Sequence, residues 1–226
     1  TTASNNTGVG YLSLTATTTG SNNSALGVGV LDANTTGSNN TAMGTFALTA
    51  STTASNTTAF GYLALHANTT GNGVAVGYAA LDAQTTGDSN VAVGTNALTN
   101  STTASYNTAV GDQSLKLATT GGFNVAIGRQ AGQSITTGSN TVAVGSGAMS
   151  QGTATGSENT IVGAAAGVFL TGGSNNSALG FTALYKNTTG NNNVAIGKEA
   201  LYENTTGGSN VAVGFSALDV NTTGSN

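Results

Sequence analysis

Along this chain an apolar residue followed by glycine recurs at Gly10, Gly27, Gly44, Gly61, Gly77, Gly94, Gly111, Gly128, Gly145, Gly163, Gly180, Gly197 and Gly214. The steps are 17 residues, except for 16 between Gly61 and Gly77 and 18 between Gly145 and Gly163. A fixed period of this kind marks a repeat architecture, in which each unit buries its apolar face against its neighbours. With the glycine as anchor, the preceding residue is apolar in all thirteen copies, from Val9 through Met43, Phe60 and Ile127 to Val213. Ala stands two before the anchor in eleven copies, the exceptions being Gly8 and Ile161. Leu stands four after it in ten, following a small residue such as Ala47, Ala64 or Ser114.

Seventeen residues are too few for a helix pair, and the apolar positions form no helical stripe. The expected unit is a coil of two strands of about four or five residues joined by two turns, with glycine at the corners. The predicted fold class is all-β: a parallel β-solenoid, or β-roll, of about thirteen 17-residue coils. At about 4.8 Å per coil these would make a rod on the order of 60 Å long. Neighbouring side chains of a strand point to opposite faces, so the apolar residue before the anchor and its Ala are predicted to face apart. The same is expected of pairs such as Ala64-Leu65 and Ala200-Leu201. One face lines the interior and the other needs cover, which further copies of the chain would supply at about 25 cal/mol per Å² of apolar surface. The alternative is a monomeric roll wide enough to bury both sets. Gly132 and Gly167 replace the usual Leu, and Ile135 and Leu170, three positions on, are expected to supply the missing volume.

Polar columns follow the same period. Thr stands eight after every anchor, among them Thr18, Thr35, Thr205 and Thr222, and a second Thr follows in eleven copies. Asn stands four before the anchor in ten copies, including Asn23, Asn40, Asn90, Asn176 and Asn210. In stacked coils such columns are predicted to form structural hydrogen-bond ladders rather than a ligand surface. Asn34, Asn68, Asn187 and Asn204 fit the glycosylation acceptor pattern, which the repeat alone explains.

The short motif of Ala, aliphatic residue and Gly followed by a small-residue segment resembles the head repeats of trimeric autotransporter adhesins. The 17-residue form, with Asn193-Val-Ala-Ile-Gly197 and Asn204-Thr-Thr-Gly207, is also similar to repeat regions of phage tail-fibre proteins. The resemblance covers essentially the whole chain. It implies a left-handed roll, three chains packed around a three-fold axis, and a place in an extracellular fibre on a cell or virion surface.

Composition narrows the function classes. Charged residues are 5% of the chain and the formal net charge is −4, so no basic stripe exists for a nucleic-acid backbone or an anionic membrane surface. No apolar run approaches the roughly 20 residues of a membrane-spanning helix. The chain has no Cys, which excludes disulfides and thiolate metal sites. Its single histidine, His66, stands in a variable column with Asp32, Thr49, Asp82, Lys116, Gln133 and Tyr185, as expected of an exposed edge. No Ser-His-acid set can be assembled without it, and the eight acidic residues are scattered, so no catalytic residue, cofactor or metal is expected. Glu199 and Glu203 are the two carboxylates placed to approach each other. Candidates for surface recognition are Tyr11, Tyr62, Tyr78, Phe181, Tyr185, Tyr202 and Phe215, which serve equally as ring contacts between chains.

Residues 1–226 read as a single repeat array, expected to be a segment of a longer fibre. The expected function is non-enzymatic: a structural and adhesive extracellular fibre segment, homotrimeric, with a host-surface protein or glycan as partner. The alternatives are an ice-binding β-solenoid, suggested by the Thr column and low charge, and an extracellular filament subunit that stacks end to end.

Overall fold

The computed structural model describes residues 2–225. They form two compact units, the first ending at Asn107 and the second beginning at Thr108. Each is a parallel β-solenoid with one short strand per lap. In the first unit these are β1 (Thr7–Val9), β2 (Ser24–Leu26), β3 (Thr41–Met43), β4 (Thr58–Phe60), β5 (Gly73–Val76) and β6 (Asn90–Val93). In the second they are β7 (Thr108–Val110), β8 (Val125–Ile127), β9 (Val142–Val144), β10 (Thr160–Val162), β11 (Ser177–Leu179), β12 (Val194–Ile196) and β13 (Val211–Val213). Within each unit every strand pairs with the next in sequence, and equivalent residues lie side by side: Ala25 against Ala42, Ala42 against Ala59, Ala178 against Ala195. The two irregular steps leave this register intact, since Thr58 pairs with Val74 and Val142 with Thr160.

The expectation of two strands per coil is corrected: each lap has one strand of three or four residues, and the remainder is turn. The strand ends at the anchor glycine, whose φ is +144° at Gly61. A Cβ there would lie 2.7 Å from the carbonyl carbon of Gly77 on the next lap. Only glycine has both the backbone freedom and the missing side chain this approach demands. Two reverse turns follow. The first closes with Ala47 N donating to Gly44 O at 3.1 Å, the second with Ser51 N donating to Leu48 O at 3.2 Å. The first turn carries a left-handed residue at its third position, as in a type II turn, and this is Phe46 or Leu63 as readily as Gly29.

The Leu column is left-handed too, with φ of 52° at Leu48, 52° at Leu65 and 53° at Leu201. That conformation is unfavourable for a residue with a Cβ, so packing and hydrogen bonding must hold it. It has a structural return. Away from strand geometry, consecutive side chains need not alternate, and Ala47 and Leu48, Ala64 and Leu65, Ala200 and Leu201 are all buried together. The expectation that these pairs face apart is therefore overturned. In the strands the alternation holds: Ala42, Ala59, Ala109 and Ala195 are buried, while Val9, Leu26, Met43, Leu179 and Ile196 face outward.

At Gly132 and Gly167 the volume is relocated as the sequence suggested, for Ile135 and Leu170 are fully buried. A Cβ on Gly132 would meet Ile135 Cδ1 at 3.2 Å, and one on Gly167 would meet Ile161 Cγ2 at 3.2 Å.

Candidate interaction surface

The polar columns are structural. Asn40 is fully buried. Its Nδ2 donates to the Ala54 carbonyl at 2.8 Å and its Oδ1 accepts from Thr57 N at 3.0 Å, while its own N–H donates to Asn23 Oδ1 at 3.0 Å. Asn23 likewise donates to Gly37 O at 2.9 Å. Asn90 accepts from Asn107 N at 2.9 Å and donates to Ala104 O at 2.7 Å. In the second unit Asn176 accepts from Asn193 N at 3.0 Å, and Asn210 donates to Gly224 O at 2.8 Å. Each amide thus clamps a backbone carbonyl and a backbone N–H of the adjoining lap, which satisfies polar groups that the turns leave unpaired.

The first Thr of each pair is also consumed by the backbone. Thr18 Oγ1 donates to Thr35 O at 3.1 Å, Thr35 Oγ1 to Thr52 O at 3.0 Å, and Thr205 Oγ1 to Thr222 O at 3.0 Å. On the inner laps the first Thr is half-buried and the second, as at Thr36, Thr53, Thr189 and Thr206, stands exposed. One Thr assignment is corrected. The extra residue of the long lap falls before Ala154, which accepts from Thr136 N at 2.9 Å, so Ala154 and not Thr153 occupies the column. The acceptor-pattern residues Asn34, Asn68, Asn187 and Asn204 are all buried, with Asn34 Nδ2 bound to Gly37 O at 3.0 Å and Asn68 Nδ2 to Gly71 O at 2.7 Å. A glycan on any of them is incompatible with a closed lap.

The outer face is different in character. The residues immediately before the anchors stand in an outward apolar row in each unit, flanked by Thr, Ser or Val two positions earlier. Leu26, Met43 and Phe60 line a shallow groove there together with Thr7, Ser24 and Thr41. No charged side chain belongs to this row.

Of the recognition candidates, Tyr11, Tyr62, Tyr78, Phe181 and Phe215 are exposed, and Tyr185 and Tyr202 are half-buried. Tyr62 and Tyr78 stack with centroids 5.7 Å apart, and Phe46 meets Tyr62 edge-on at 6.4 Å. In the second unit Tyr185 and Tyr202 are nearly parallel at 4.9 Å, with Phe169 edge-on to Tyr185 at 5.3 Å. The stacking follows from side chains at equal positions on adjoining laps. Phe181 and Tyr202 border an open groove with Glu199, Glu203 and Asp219, and Phe215 lies beneath Lys198 Nζ at 5.4 Å. Phe46 and Phe169 escaped the sequence reading because their offsets from the anchor differ from those of the rings they touch.

Three pairs of ionisable groups meet at the surface. Lys186 Nζ donates to both Glu203 oxygens at 2.8 Å, and this contact holds the Lys186 pKa above its ordinary value. Glu199 instead pairs with Lys198 at 3.4 Å and accepts from Ser216 Oγ at 3.2 Å, so the two carboxylates expected to approach each other have separate partners. His66 Nδ1 lies 3.3 Å from Asp82 Oδ1, with both side chains partly exposed. Among the described residues no group of three or more His, Cys, Asp or Glu is placed to hold a metal, and no helix is long and apolar enough to cross a membrane.

No protein-family model, curated protein or solved structure matches the chain.

Proposed function

We propose that the chain is a structural and adhesive segment of a trimeric extracellular fibre, on a cell or virion surface, and not an enzyme. The observation that carries this reading is the outward apolar row. Soluble single chains seldom expose a contiguous apolar strip on this scale, and such strips mark places of association. Covering one half-exposed Val, Leu or Ile contributes about 1 kcal/mol, and the row repeats that contribution on every lap. The absence of charge along it removes the desolvation cost that would oppose close packing. Sister chains are the partners of choice because an identical repeat presents the same row at the same pitch, so one contact recurs along the array. The exposed rings of Tyr11, Tyr62, Tyr78 and Phe181 then remain for a host-surface protein or glycan, or for ring contacts between chains.

Sedimentation and native mass measurements on the full chain are expected to give three times the 21.8 kDa chain mass. Ile196→Lys places a charge on an outward position of β12 and is expected to dissociate the assembly while leaving the far-ultraviolet spectrum of the lap unchanged. A stable monomer at micromolar concentration would defeat the trimer reading.

A further inference from the structure

The interior position seven residues after the anchor is where the core of the first unit leaves polar atoms unmatched. Its occupants on six successive laps are Thr17, Asn34, Ser51, Asn68, Gln84 and Ser101, and the last five are fully buried. On each lap one side-chain atom has no hydrogen-bond partner in the protein: Oγ1, Oδ1, Oγ, Oδ1, Nε2 and Oγ in that order. A buried polar atom without a partner is destabilising, and native proteins satisfy such atoms with other protein groups or with interior water.

The second unit shows what direct satisfaction looks like in the same column. Asn204 Nδ2 donates to Asn187 Oδ1 at 2.8 Å, and Asn221 Nδ2 to Asn204 Oδ1 at 3.2 Å. On three other laps of that unit the position is apolar and buried, at Ala118, Ile135 and Leu170. In the second unit these amides on adjoining laps bond to each other, and apolar residues need no partner. The first unit does neither: serine interrupts the run of amides at Ser51 and Ser101, and Asn68 and Gln84, though on adjoining laps, leave Oδ1 and Nε2 unpaired.

We infer that the first unit holds a file of buried water in this column, centred on the levels of Ser51 and Ser101. A serine there is smaller than its Asn or Gln neighbours by about the volume of one water. Atoms one lap apart, at about 4.8 Å, are too distant to bond directly, whereas two O–H···O bonds of about 2.8 Å meeting at a tetrahedral angle span roughly 4.6 Å. The donor and acceptor pattern selects water over a cation. Asn34 and Asn68 commit Nδ2 to Gly37 O and Gly71 O and so present oxygen to the column. Gln84 commits Oε1 to Asn90 Nδ2 at 2.8 Å and so presents an N–H. A cation needs about six oxygen ligands and is repelled by an N–H, while water serves both kinds of neighbour.

The test uses the full chain. A high-resolution crystal structure should place water within hydrogen-bond distance of Asn34 Oδ1 and Ser51 Oγ. In solution, amides of the laps around Ser51 should show cross-peaks to long-lived water. Ser51→Asn extends the amide ladder as at Asn187 and Asn204, and is expected to remove those cross-peaks and raise the thermal midpoint by about 2–4 °C. Ser51→Ala should lower the midpoint, since it removes a partner of the water. A dry column in the unsubstituted protein would overturn the inference, as would a midpoint raised by Ser51→Ala.

Discussion

Gly61→Ala is expected to abolish folding of the laps that carry β4 and β5. The new methyl would sit 2.7 Å from the carbonyl carbon of Gly77, at a φ of +144°, and both partners are backbone, so no side chain can move aside. Relief requires parting two laps that are joined above the anchor by Gly77 N donating to Phe60 O at 2.7 Å. The loss should exceed about 4 kcal/mol, the range reserved for a disrupted core or a strained special backbone position. Gly214→Ala is the matched control. Its φ is 129°, yet an added Cβ meets only Ala217 Cβ at 4.0 Å, so it should lose only about 1–2 kcal/mol. Urea unfolding of the two variants separates the cost of backbone conformation from that of lap-to-lap contact. Equal losses would show that the anchors are glycine for their φ alone.

Asn40→Ala is expected to be among the most damaging substitutions of a polar side chain in the first unit. It strands the Ala54 carbonyl and the Thr57 N–H on one side and removes nothing but a hydrogen-bonding group. With about 1–3 kcal/mol for each of the two buried polar groups left unmatched, the expected loss is roughly 2–6 kcal/mol. Asn40→Asp sharpens the test, because it keeps the shape and adds a titratable group in a fully buried site. Burial disfavours the carboxylate and raises its folded pKa above the unfolded value of about 3.9. The unfolded chain then releases its proton first. Stability is thus highest below the unfolded pKa and falls as pH rises toward the folded one. Thermal melts between pH 3 and 7 should show this variant near the parent in acid and far below it at neutrality. A variant equally stable at both ends would mean that the amide does not bridge the laps.

Much of this fold is legible from periodicity, because a solenoid repeats its environment and hence its residue types. The anchors, the Ala facing inward in the strands, the Asn ladder and the exchange of Leu for Ile135 and Leu170 all stand in columns of the sequence. What could not be read is the conformation of the turn half. Leucine is a poor choice for a left-handed backbone, so a run such as Ala47-Leu48 reads as strand, and alternation then sends its two side chains to opposite faces. The structure places Leu48 at φ 52° and buries both. Local preference is overridden by a column of buried apolar side chains, leucine on most laps, that packs lap on lap within each unit. The eighteen-residue step hides its insertion in the same way, since Thr153 preserves the spacing on paper while Ala154 keeps it in space.

The surface was less legible than the core. Exposure of Tyr11, Tyr78 and Phe215 follows from the variable columns they occupy, but the contact of Phe46 with Tyr62 and of Phe169 with Tyr185 depends on side-chain direction at a turn. Spacing alone carries no such information.

The fold depends on laps that stack in register, and a distance across several laps tests this directly. The chain has no cysteine, so spin labels at Thr19→Cys and Thr103→Cys are unique. Both sites lie in the exposed second-Thr column of the first unit, five laps apart. At about 4.8 Å per lap, pulsed dipolar spectroscopy on doubly labelled chain assembled with an excess of unlabelled chain should give a narrow distribution near 24 Å between backbones, broadened only by the label arms. A broad distribution centred near 50 Å, as expected of 84 residues of flexible chain, would contradict it.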